Sequence, residues 1–468
     1  MSTACVILAA GLGKRMKSGV PKVLHEICGA SMLESVISAA KRVNAEKVIV
    51  VAGKHIDSIR KSVQTADVFF VLQKEAKGTG HALLCARRAL GDFQGTVVVL
   101  NGDSPLVEHE TIKKFLRLHR RDKNALSVIS FNAKDPKDYG RIIRDGSGGV
   151  SAIIEEKDAD PFQKKICEVN SGVYALNGDA LLLLDAIRMN SAKGEYYLTD
   201  IVTEAAKHGL KASAYCIGTE EEFMGVNTRE ELVRASLLMR KRISKKWSER
   251  GVTFFDADSV FIHTGVSIGR DSIIYPNVHL EGRVKIGRGT TIFPNVRIVN
   301  ARIGSGVVIK DSSLIEDSTV KDRASVGPFA HLRPGSEVGA GAKVGNFVEL
   351  KKAVIGRESK ASHLSYLGDA VIGKGVNIGA GTITCNYDGV KKHRTVLGDG
   401  VFVGSDTQFV APVKVGRGAY IGAGSTITED VPAGALALSR TRQKNIRGWA
   451  SRGRQGTGSK RQKALKQK

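Results

Sequence analysis

The sequence has no long apolar segment and no paired cysteines. No apolar run approaches the roughly 18 residues needed to span a bilayer, so we expect no transmembrane helix. The N-terminus lacks a basic lead followed by an apolar stretch and a small-residue cleavage site, so no secretory signal is expected. The six cysteines are scattered without a C-x-x-C pair. This pattern favours reduced thiols over a disulfide framework or a zinc site. Together these absences predict a cytoplasmic protein.

Acidic residues are too few to balance the basic ones. The 468 residues include 71 Lys and Arg against 47 Asp and Glu, a formal net charge of +24. Nucleic acid, an acidic surface or anionic small substrates could each account for such an excess. However, residues 440–468 hold eleven basic and no acidic residues, and residues 228–250 hold eight basic against three acidic. The rest of the chain is only mildly basic, so we expect small anionic substrates rather than nucleic acid as partners.

Residues 1–227 alternate between apolar, β-rich segments and helical segments, which predicts a first domain over this range. The apolar β-rich runs are Val6–Ala10, Lys47–Val51, Thr96–Leu100 and Ala125–Ile129. Alternation at this spacing is typical of a doubly wound, parallel α/β sheet, in which ligands bind at the carboxyl ends of the strands. A capping-box pattern at Thr228 and helical apolar spacing then predict a basic linker helix over residues 228–250.

After Gly251 the sequence repeats every six residues. Aliphatic–glycine dipeptides such as Val338-Gly339 and Val344-Gly345 recur over about 170 residues, which predicts a parallel β-helix with three hexapeptides in each coil. The period slips at Ser359–Leu367 and at Thr384–His393, and we expect both segments to be loops extruded from the coils. Residues 251–437 are assigned to this domain, and residues 438–468 to a basic tail.

A glycine-rich turn follows the first apolar run. Leu8–Arg15 has the sequence L-A-A-G-L-G-K-R and Lys22 follows soon after, so backbone N–H groups and cations can meet a phosphate chain. A dinucleotide fingerprint is excluded because Met16 stands where a third glycine is needed. A Walker A loop is excluded because Lys14 is followed by Arg15. A purely structural turn remains an alternative.

A second group of polar residues follows the third strand. Asp103 lies just beyond that strand, so we expect it to face the same crevice as the glycine-rich turn. Mg²⁺ typically binds one or two carboxylates together with phosphate oxygens, so Asp103 is a candidate ligand, with an ordinary turn residue as the alternative. Gln73 and Gly78–Gly80 supply hydrogen-bonding groups suited to the edge of a base.

Further motifs appear in order along the chain. They are P-K at 21–22, N-G-D at 101–103, Y-G-R at 139–141, N-S-G at 170–172, G-E-Y-Y-L-T-D at 194–200 and G-V-N at 225–227. With the hexapeptide half, they make residues 1 to about 447 closely resemble the bacterial bifunctional N-acetylglucosamine-1-phosphate uridyltransferase/glucosamine-1-phosphate N-acetyltransferase family. The resemblance implies UTP, glucosamine-1-phosphate and acetyl-CoA as substrates and Mg²⁺ as cofactor. It also implies a left-handed β-helix and a homotrimer with acetyl-transfer sites between subunits.

For uridylyl transfer, the resemblance implies one binding site for the nucleotide sugar and one pair of ligands for a single metal ion. The residues expected to bind UDP-N-acetylglucosamine are Leu8, Gly11, Arg15, Lys22, Gln73, Gly78, Thr79, Asn101, Asp103, Gly140, Glu155, Asn170 and Asn227. Asp103 and Asn227 are expected to hold the Mg²⁺. Two positions depart from the family pattern: Lys14 replaces a Thr and adds a positive charge, and Asn101 often is an aromatic residue in the family.

For acetyl transfer, the resemblance implies His363 as the catalytic base. An imidazole titrates near neutral pH and can accept a proton from an ammonium group, although a lone His is more often structural. The residues expected to bind glucosamine phosphate are Arg333, Lys351, Tyr366 and Asn377. Those expected to bind acetyl-CoA are Ala380, Asn386, Tyr387, Ser405, Ala423 and Arg440.

Two other functions were weighed against the bifunctional enzyme. One is a sugar-1-phosphate nucleotidyltransferase with a single activity, whose β-helix only regulates or oligomerises. The other is a scaffold that binds RNA through its basic tail. The first alternative predicts that the acetyl-transfer residues are lost, but His363 and Tyr366 are present. The second predicts that the catalytic motifs are degraded, but Lys22, Asp103 and Asn227 are intact. The sequence therefore favours the bifunctional enzyme.

Overall fold

The computed structural model describes residues 2–11, 13–146, 148–190 and 194–450. Residues 451–468 of the predicted basic tail, and Leu12 of the glycine-rich turn, lie outside this range. Backbone contacts divide the chain into two compact units. The first runs to Ser267 and includes His279–Arg283, and the second comprises Ile268–Val278 and the chain from Val284 onward.

The first unit is built on a twisted sheet flanked by helices. Its strands are β1 Thr3–Ala9, β2 Glu26–Ile27, β3 Ala30–Ser31, β4 Lys47–Ala52, β5 Phe69–Leu72, β6 Thr96–Asn101, β7 Leu126–Asn132, β8 Arg141–Arg144, β9 Val150–Ile154, β10 Glu168–Leu176 and β11 Ala212–Cys216. Its α-helices are α1 Met32–Arg42, α2 Ile56–Ser62, α3 Gly78–Leu90, α4 His109–Arg121, α5 Gly178–Leu182, α6 Asp200–Lys207 and α7 Arg229–Ser248. Short strands at Thr253–Phe254, Phe261–Ile262 and His279–Glu281 complete the unit.

The main sheet has the strand order β11-β7-β10-β6-β1-β4-β5. Strand β1 pairs in parallel with β4 and β6, and β11 pairs in parallel with β7. The predicted doubly wound α/β sheet is thus confirmed, with one correction. Strand β10 runs antiparallel to both β6 and β7, and β8 and β9 form an antiparallel hairpin beside it. The sheet is therefore mixed rather than wholly parallel.

Alternating side chains of β1 belong to two cores, one on each face of the sheet. Ala4 and Val6 pack in the cluster that contains α3, whereas Cys5 and Ile7 pack in the cluster that contains α1 and α4. Successive side chains of a strand point to opposite faces, so a fully buried strand with helices on both sides must be apolar throughout. All of these side chains are buried, which explains the continuous apolar run Val6–Ala10.

Helix α7 begins with the predicted capping box. The Thr228 side chain accepts a hydrogen bond from the Glu231 backbone N–H, and the Glu231 carboxylate accepts one from the Thr228 N–H at 2.8 Å. These bonds satisfy donors that a helix start leaves unpaired. Ala235 of this helix joins a small core with Met32 and Val226, while most of its basic side chains stay in solvent. No helix in the described ranges combines the length and apolar character needed to cross a membrane.

The second unit is the predicted β-helix of hexapeptide coils. One face carries the strands Lys285–Ile286, Arg302–Ile303, Thr319–Val320, Glu337–Val338, Val354–Ile355, Ala370–Ile372, Thr395–Leu397 and Val413–Val415, and Ser267–Ile268 lies at the boundary of the two units. The second face carries Ile273–Ile274, Thr291–Ile292, Val308–Ile309, Ser325–Val326, Asn377–Ile378, Phe402–Val403, Tyr420–Ile421 and Leu436–Ala437. The third face carries Arg297–Val299, Leu314–Glu316, His331–Leu332, Ile383–Cys385, Gln408–Val410 and Thr426–Ile427. Two long strands, Lys343–Lys351 and Lys360–Gly368, run along both the second and third faces.

The prediction of an extruded loop at Ser359–Leu367 is wrong. Residues 359–367 lie almost entirely in the strand Lys360–Gly368, which pairs in parallel with Lys343–Lys351. The flanking Ile355 pairs with Ile372, a spacing of one ordinary coil. The hexapeptide pattern slips there because the backbone turns the corner within a continuous strand.

The other segment does leave the coil. Ala370 pairs with Thr395, and Thr395 pairs in turn with Val413. The step from Ala370 to Thr395 is longer than the step from Thr395 to Val413, which is one ordinary coil. The additional residues form the loop that carries Asn386 and Tyr387 between two strands.

Candidate active sites

A cavity of about 680 Å³ opens at the carboxyl ends of β1 and β6 in the first unit. Eleven of the thirteen residues predicted to bind the nucleotide sugar line it: Leu8, Gly11, Arg15, Lys22, Gln73, Gly78, Thr79, Asn101, Asp103, Glu155 and Asn227. Sheet register explains much of this convergence, because Leu8 pairs with Asn101. The two loops that follow these strands therefore start at one edge of the sheet, where parallel α/β sheets bind ligands.

Lys22 lies between the two predicted metal ligands. Its Nζ forms an ion pair with Asp103 and donates a hydrogen bond to Asn227 Oδ1 at 2.9 Å. The Val226 N–H donates to the Asp103 carbonyl at 2.9 Å, which brings the chain around Asn227 beside Asp103. The Lys22 side chain is 9% exposed. Two oxygens from distant parts of the sequence thus meet at a single cation.

The same oxygens suit a divalent metal. Mg²⁺ prefers carboxylate, carbonyl and phosphate oxygens and keeps several of its waters. Asp103 and Asn227 supply a carboxylate and an amide oxygen that already converge on one positive charge. No cluster of three or more His, Cys, Asp or Glu suited to a metal occurs among the described residues, so the remaining ligands would have to come from phosphate or water.

The residues predicted to bind the base lie where α3 begins. Gln73 Nε2 donates to the Gly78 carbonyl at 3.1 Å, and the Leu198 N–H donates to Thr79 Oγ1 at 3.1 Å. Gly78 has φ +90°, and a Cβ there would lie 2.6 Å from the Tyr196 carbonyl oxygen. Only glycine accepts both the backbone angle and the contact, which explains the G-T-G sequence at this turn.

The residues predicted to bind the sugar lie at the β8–β9 hairpin and on β10. Glu155 lines the cavity and accepts a hydrogen bond from Thr199 Oγ1 at 3.1 Å. Gly140 and Asn170 do not line the cavity but lie beside it, since a Cβ on Gly140 would be 3.8 Å from Glu155 Oε1 and 3.7 Å from Asn170 Cβ. Asn170 is held by its donation to the Tyr174 hydroxyl at 2.7 Å.

Several cavity residues were not singled out as binding residues from the sequence. They are Ala10, Gly13, Lys14, Ala76, Ala82, Glu195 and Tyr197. Glu195 and Tyr197 belong to the G-E-Y-Y-L-T-D motif, which therefore held a signal for them. Lys14 also lines the cavity, so the charge that distinguishes it from the usual Thr lies close to the predicted phosphate site.

In the second unit, His363 is exposed on the strand Lys360–Gly368. Its Nδ1 lies 2.5 Å from Asn346 Oδ1, and the two residues are register partners on adjacent coils. An amide oxygen only accepts hydrogen bonds, so the contact requires a hydrogen on Nδ1 and leaves Nε2 as the basic nitrogen of a neutral ring. This is how a catalytic base is commonly oriented. Asn346 was missed, although it lies one coil before His363.

Three cations, Arg333, Lys351 and Lys392, lie close together in the second unit. Arg333 donates to Glu349 at 2.9 Å. The close contact and positive charge of Lys392, and then the charge of Arg333, lower the pKa of Lys351, because neighbouring positive charges disfavour a further one. Such a cluster favours an anion that would relieve the repulsion. Lys392 was missed because it lies in the extruded loop, far along the chain from the other two.

Tyr366 and Asn377 occupy different faces of the β-helix. Tyr366 pairs with Ile383 on one face, whereas Asn377 pairs with Lys360 on the other. Tyr366 belongs to the strand that carries His363, and Asn377 pairs with the first residue of that strand.

The extruded loop has its own internal bonds. Asn386 Nδ2 donates to Asp369 at 2.5 Å, and the Tyr387 hydroxyl donates to the Gly389 carbonyl at 2.5 Å. Asp388 accepts from the Lys391 N–H at 2.6 Å and lies 2.6 Å from His393 Nε2. The backbone bond and then the imidazole lower the pKa of the Asp388 carboxyl. The loop is therefore held in a defined shape.

Of the remaining predicted acetyl-CoA residues, three form one column along the coils, and Arg440 contacts the last of them. Asn377 pairs with Phe402 and Phe402 with Tyr420, so Ala380, Ser405 and Ala423 occupy equivalent positions on successive coils. The Asp406 N–H donates to the Ala380 carbonyl at 2.7 Å, and Arg440 Nη1 donates to the Ala423 carbonyl at 2.9 Å. The column offers backbone groups and one cation to an extended ligand.

The first unit has a nucleotide-sized cavity with converging cations on an α/β sheet, and the second has an oriented His and a cation cluster on a β-helix. Together they define a group-transfer enzyme with two sites. Models of known families agree with this division. Residues 5–166 match the MobA-like NTP transferase domain, and residues 265–300 and 394–429 match the bacterial transferase hexapeptide repeats.

Curated relatives cover almost the whole chain. The bifunctional protein GlmU of Geotalea uraniireducens is 47% identical over 448 residues, which is 95% of this chain and 98% of the relative. That of Thermodesulfovibrio yellowstonii is 48% identical over 449 residues, 96% of this chain and 99% of the relative. That of Clostridium botulinum is 44% identical over 450 residues, 96% of this chain and 98% of the relative. The chain belongs to the GlmU family of bifunctional enzymes.

Family membership fixes the two activities. The protein is an N-acetylglucosamine-1-phosphate uridyltransferase and a glucosamine-1-phosphate N-acetyltransferase, which uses UTP and acetyl-CoA in UDP-N-acetylglucosamine biosynthesis. The alternative of a nucleotidyltransferase with a single activity and a purely regulatory β-helix is not favoured.

Proposed function

We propose that uridylyl transfer takes place in the cavity around Lys22, Asp103 and Asn227, and acetyl transfer at His363. The observation that carries the first assignment is the convergence of Asp103 and Asn227 on the Lys22 ammonium. The functional boundaries expected from the sequence (1–227, 228–250, 251–437 and 438–468) remain part of this proposal. Because both co-substrates, UTP and acetyl-CoA, are soluble metabolites of the cytosol, we place the enzyme there.

In uridylyl transfer, a phosphate oxygen of the sugar-1-phosphate attacks the α-phosphorus of UTP, the α–β phosphoanhydride bond breaks, and pyrophosphate leaves. No general base is required, because a phosphate monoester with a second pKa near 6 is already mostly ionised at neutral pH. The main obstacle is the repulsion between two anions. Arg15 and Lys22 would offset it by neutralising and aligning the phosphates, while Gln73, Gly78 and Thr79 hold the base and Gly140, Glu155 and Asn170 hold the sugar.

We further propose that Asp103 and Asn227 hold Mg²⁺ when the substrates bind. The metal would neutralise charge on the phosphates. The oxygens of Asp103 and Asn227 that now contact the Lys22 ammonium would then bind the metal. The ammonium would instead contact the substrate phosphates.

Metal removal should separate the two reactions. In EDTA, pyrophosphate release from UTP and N-acetylglucosamine-1-phosphate should fall by about 10³-fold or more, because metal stabilisation of transferring phosphates is worth several kcal/mol. CoA release from acetyl-CoA and glucosamine-1-phosphate should stay unchanged in the same buffer. Added Mg²⁺ should restore the first activity. Undiminished pyrophosphate release without metal would refute the metal assignment.

In acetyl transfer, His363 Nε2 would take a proton from the glucosamine ammonium, and the amine would attack the thioester carbonyl. The nitrogen then loses its second proton as the C–S bond breaks, and CoA leaves as a thiolate that receives this proton. Arg333, Lys351 and Lys392 would bind the sugar phosphate, with Tyr366 and Asn377 contacting the sugar. The Ala380 N–H would stabilise the oxyanion, and donors fixed on a rigid coil need no reorganisation. Asn386, Tyr387, Ser405, Ala423 and Arg440 would bind acetyl-CoA.

We also propose that the active form is a homotrimer with the acetyl-transfer site between subunits. Phe329, Phe347 and Leu364 occupy one corner of three successive coils and are 52%, 55% and 60% exposed. The rings of the two Phe residues are 5.4 Å apart. A contiguous apolar stripe on a surface favours burial against another protein surface, and Leu364 directly follows His363, so a second copy seated there would reach the catalytic base.

Introducing a charge into this stripe should separate the subunits. For Phe347→Asp, light scattering should report a monomer, and acetyl transfer should fall by at least about tenfold while uridylyl transfer is retained, since a buried unpaired carboxylate is strongly disfavoured. The matched control is Phe162→Asp, because Phe162 is 82% exposed in the first unit. A Phe347→Asp variant of unchanged mass and unchanged acetyl transfer would argue against this interface.

A further inference from the structure

Gln73 is held by a short chain of hydrogen bonds that runs away from the cavity. Its Nε2 donates to the Gly78 carbonyl at 3.1 Å and lies 3.0 Å from His81 Nδ1. His81 Nε2 in turn lies 3.8 Å from Cys85 Sγ. His81 and Cys85 lie one turn apart on α3, the helix that begins at Gly78. Gln73 itself lines the cavity and is 3% exposed.

The partners fix which way the Gln73 amide faces. A carbonyl oxygen only accepts hydrogen bonds, so the amide atom next to the Gly78 carbonyl must be the nitrogen. That nitrogen only donates, and His81 Nδ1 must therefore accept. The imidazole proton then lies on Nε2, which faces the Cys85 sulfur. Burial raises the pKa of the Cys85 thiol, so that sulfur stays uncharged.

Both hydrogens of the Gln73 amide are thereby used within the protein. The carbonyl oxygen, Oε1, remains, and no described residue donates a hydrogen bond to it. Gln73 consequently offers the cavity an acceptor and no donor.

Building on the proposed uridylyl function of this cavity, we propose that His81 is a positioning residue that locks Gln73 as a hydrogen-bond acceptor and so sets the preference for UTP over CTP. Uracil carries a hydrogen on N3, which can donate to Oε1. Cytosine has a lone pair on N3 instead, and two acceptors facing each other leave both unpaired in a desolvated site. Sites built around a hydrogen bond reject ligands that cannot make it much more strongly than apolar pockets reject isosteres.

Without the acceptor at His81, the Gly78 carbonyl is the one remaining partner of the amide nitrogen in the described part of the chain, so the preference for the observed amide orientation weakens. Turning the amide would then cost one hydrogen bond instead of two, and a bound cytosine, whose N3 can accept from Nε2, would compensate for that loss. The preference for uracil would fall even if the enzyme remained folded and active. A side chain that merely fills space would change the rates with both nucleotides together.

The test compares kcat/KM for UTP with kcat/KM for CTP, using N-acetylglucosamine-1-phosphate as acceptor and pyrophosphate release as the readout. In His81→Phe, which keeps a planar ring and removes the acceptor, the UTP/CTP ratio should fall by about 10- to 100-fold. In His81→Asn, whose Oδ1 can replace Nδ1 as acceptor, the ratio should stay within about threefold of the wild type. If His81→Phe does not fold, His81→Leu takes its place and the ratio decides in the same way.

An unchanged ratio in the variant without an acceptor would overturn the proposal, and so would an equal loss in His81→Asn. Neither outcome bears on uridylyl transfer itself. That assignment fails separately if the wild-type protein releases no pyrophosphate from UTP and N-acetylglucosamine-1-phosphate.

Discussion

Asp103→Ala should reduce uridylyl transfer by about 10³-fold or more and leave acetyl transfer at the wild-type rate. The change removes the carboxylate that pairs with Lys22 and that we propose as a metal ligand. A metal that stabilises transferring phosphates contributes several kcal/mol, and each 1.4 kcal/mol corresponds to about a tenfold change in rate. Steady-state assays of pyrophosphate release and CoA release on the same preparation would measure both activities.

Asp185→Ala provides the matched control. Asp185 also pairs with a basic side chain, Arg87, at 2.6 Å, but its own side chain is 58% exposed and does not line the cavity. Because exposed ion pairs contribute little to stability, both activities should survive this change. If Asp103→Ala retained uridylyl transfer, or if the folded variant lost both activities, the assignment of two separate sites would be wrong.

His363→Ala should have the reverse effect. Acetyl transfer should fall by about 10²–10⁴-fold, the range that a general base typically contributes, and uridylyl transfer should not change. Asn346→Leu should reproduce part of this loss, because without the contact at Nδ1 the imidazole is no longer fixed in the orientation that exposes Nε2.

The corresponding control is His279→Ala. This His lies on a different coil, stacked on Phe261 with ring centroids 4.5 Å apart, and its removal should leave acetyl transfer near the wild-type rate. Near-normal acetyl transfer by His363→Ala would rule out His363 as the base.

The sequence predicted features that follow from local pattern. The apolar run of β1 must be buried on both faces, so the loop after it, with Gly11 and Arg15, could be placed at the edge of the sheet next to Asp103. The six-residue period likewise predicted the coils, because each repeat contributes one face. In both cases the periodicity of the side chains determines the fold.

Features that depend on pairing between distant strands were less accessible. Nothing in the apolar pattern of β10 distinguishes an antiparallel from a parallel neighbour, and so the reversal beside β6 was not foreseen. The corner within Lys360–Gly368 was mistaken for a loop, because a strand that turns between faces breaks the hexapeptide pattern without leaving the coil.

Some missed residues could have been found by counting coils. Asn346 precedes His363 by one coil, the same step that separates the other paired positions on those two strands. Lys392 could not have been found in this way, since it lies in the loop that leaves the coil, and only the folded loop brings it to Lys351. Gly140 and Asn170 came from the family motifs and lie beside Glu155, in a part of the first unit where the sequence has no clear periodicity.

Mixing the two inactive variants tests the central claim, two independent sites in one chain, most directly. Asp103→Ala and His363→Ala would each be incubated with glucosamine-1-phosphate, acetyl-CoA, UTP and Mg²⁺, alone and together, and UDP-N-acetylglucosamine would be measured. Each variant alone should form almost none. The mixture should form it readily, because N-acetylglucosamine-1-phosphate released by Asp103→Ala can diffuse to the intact cavity of His363→Ala. A mixture no more active than the separate variants would contradict the account.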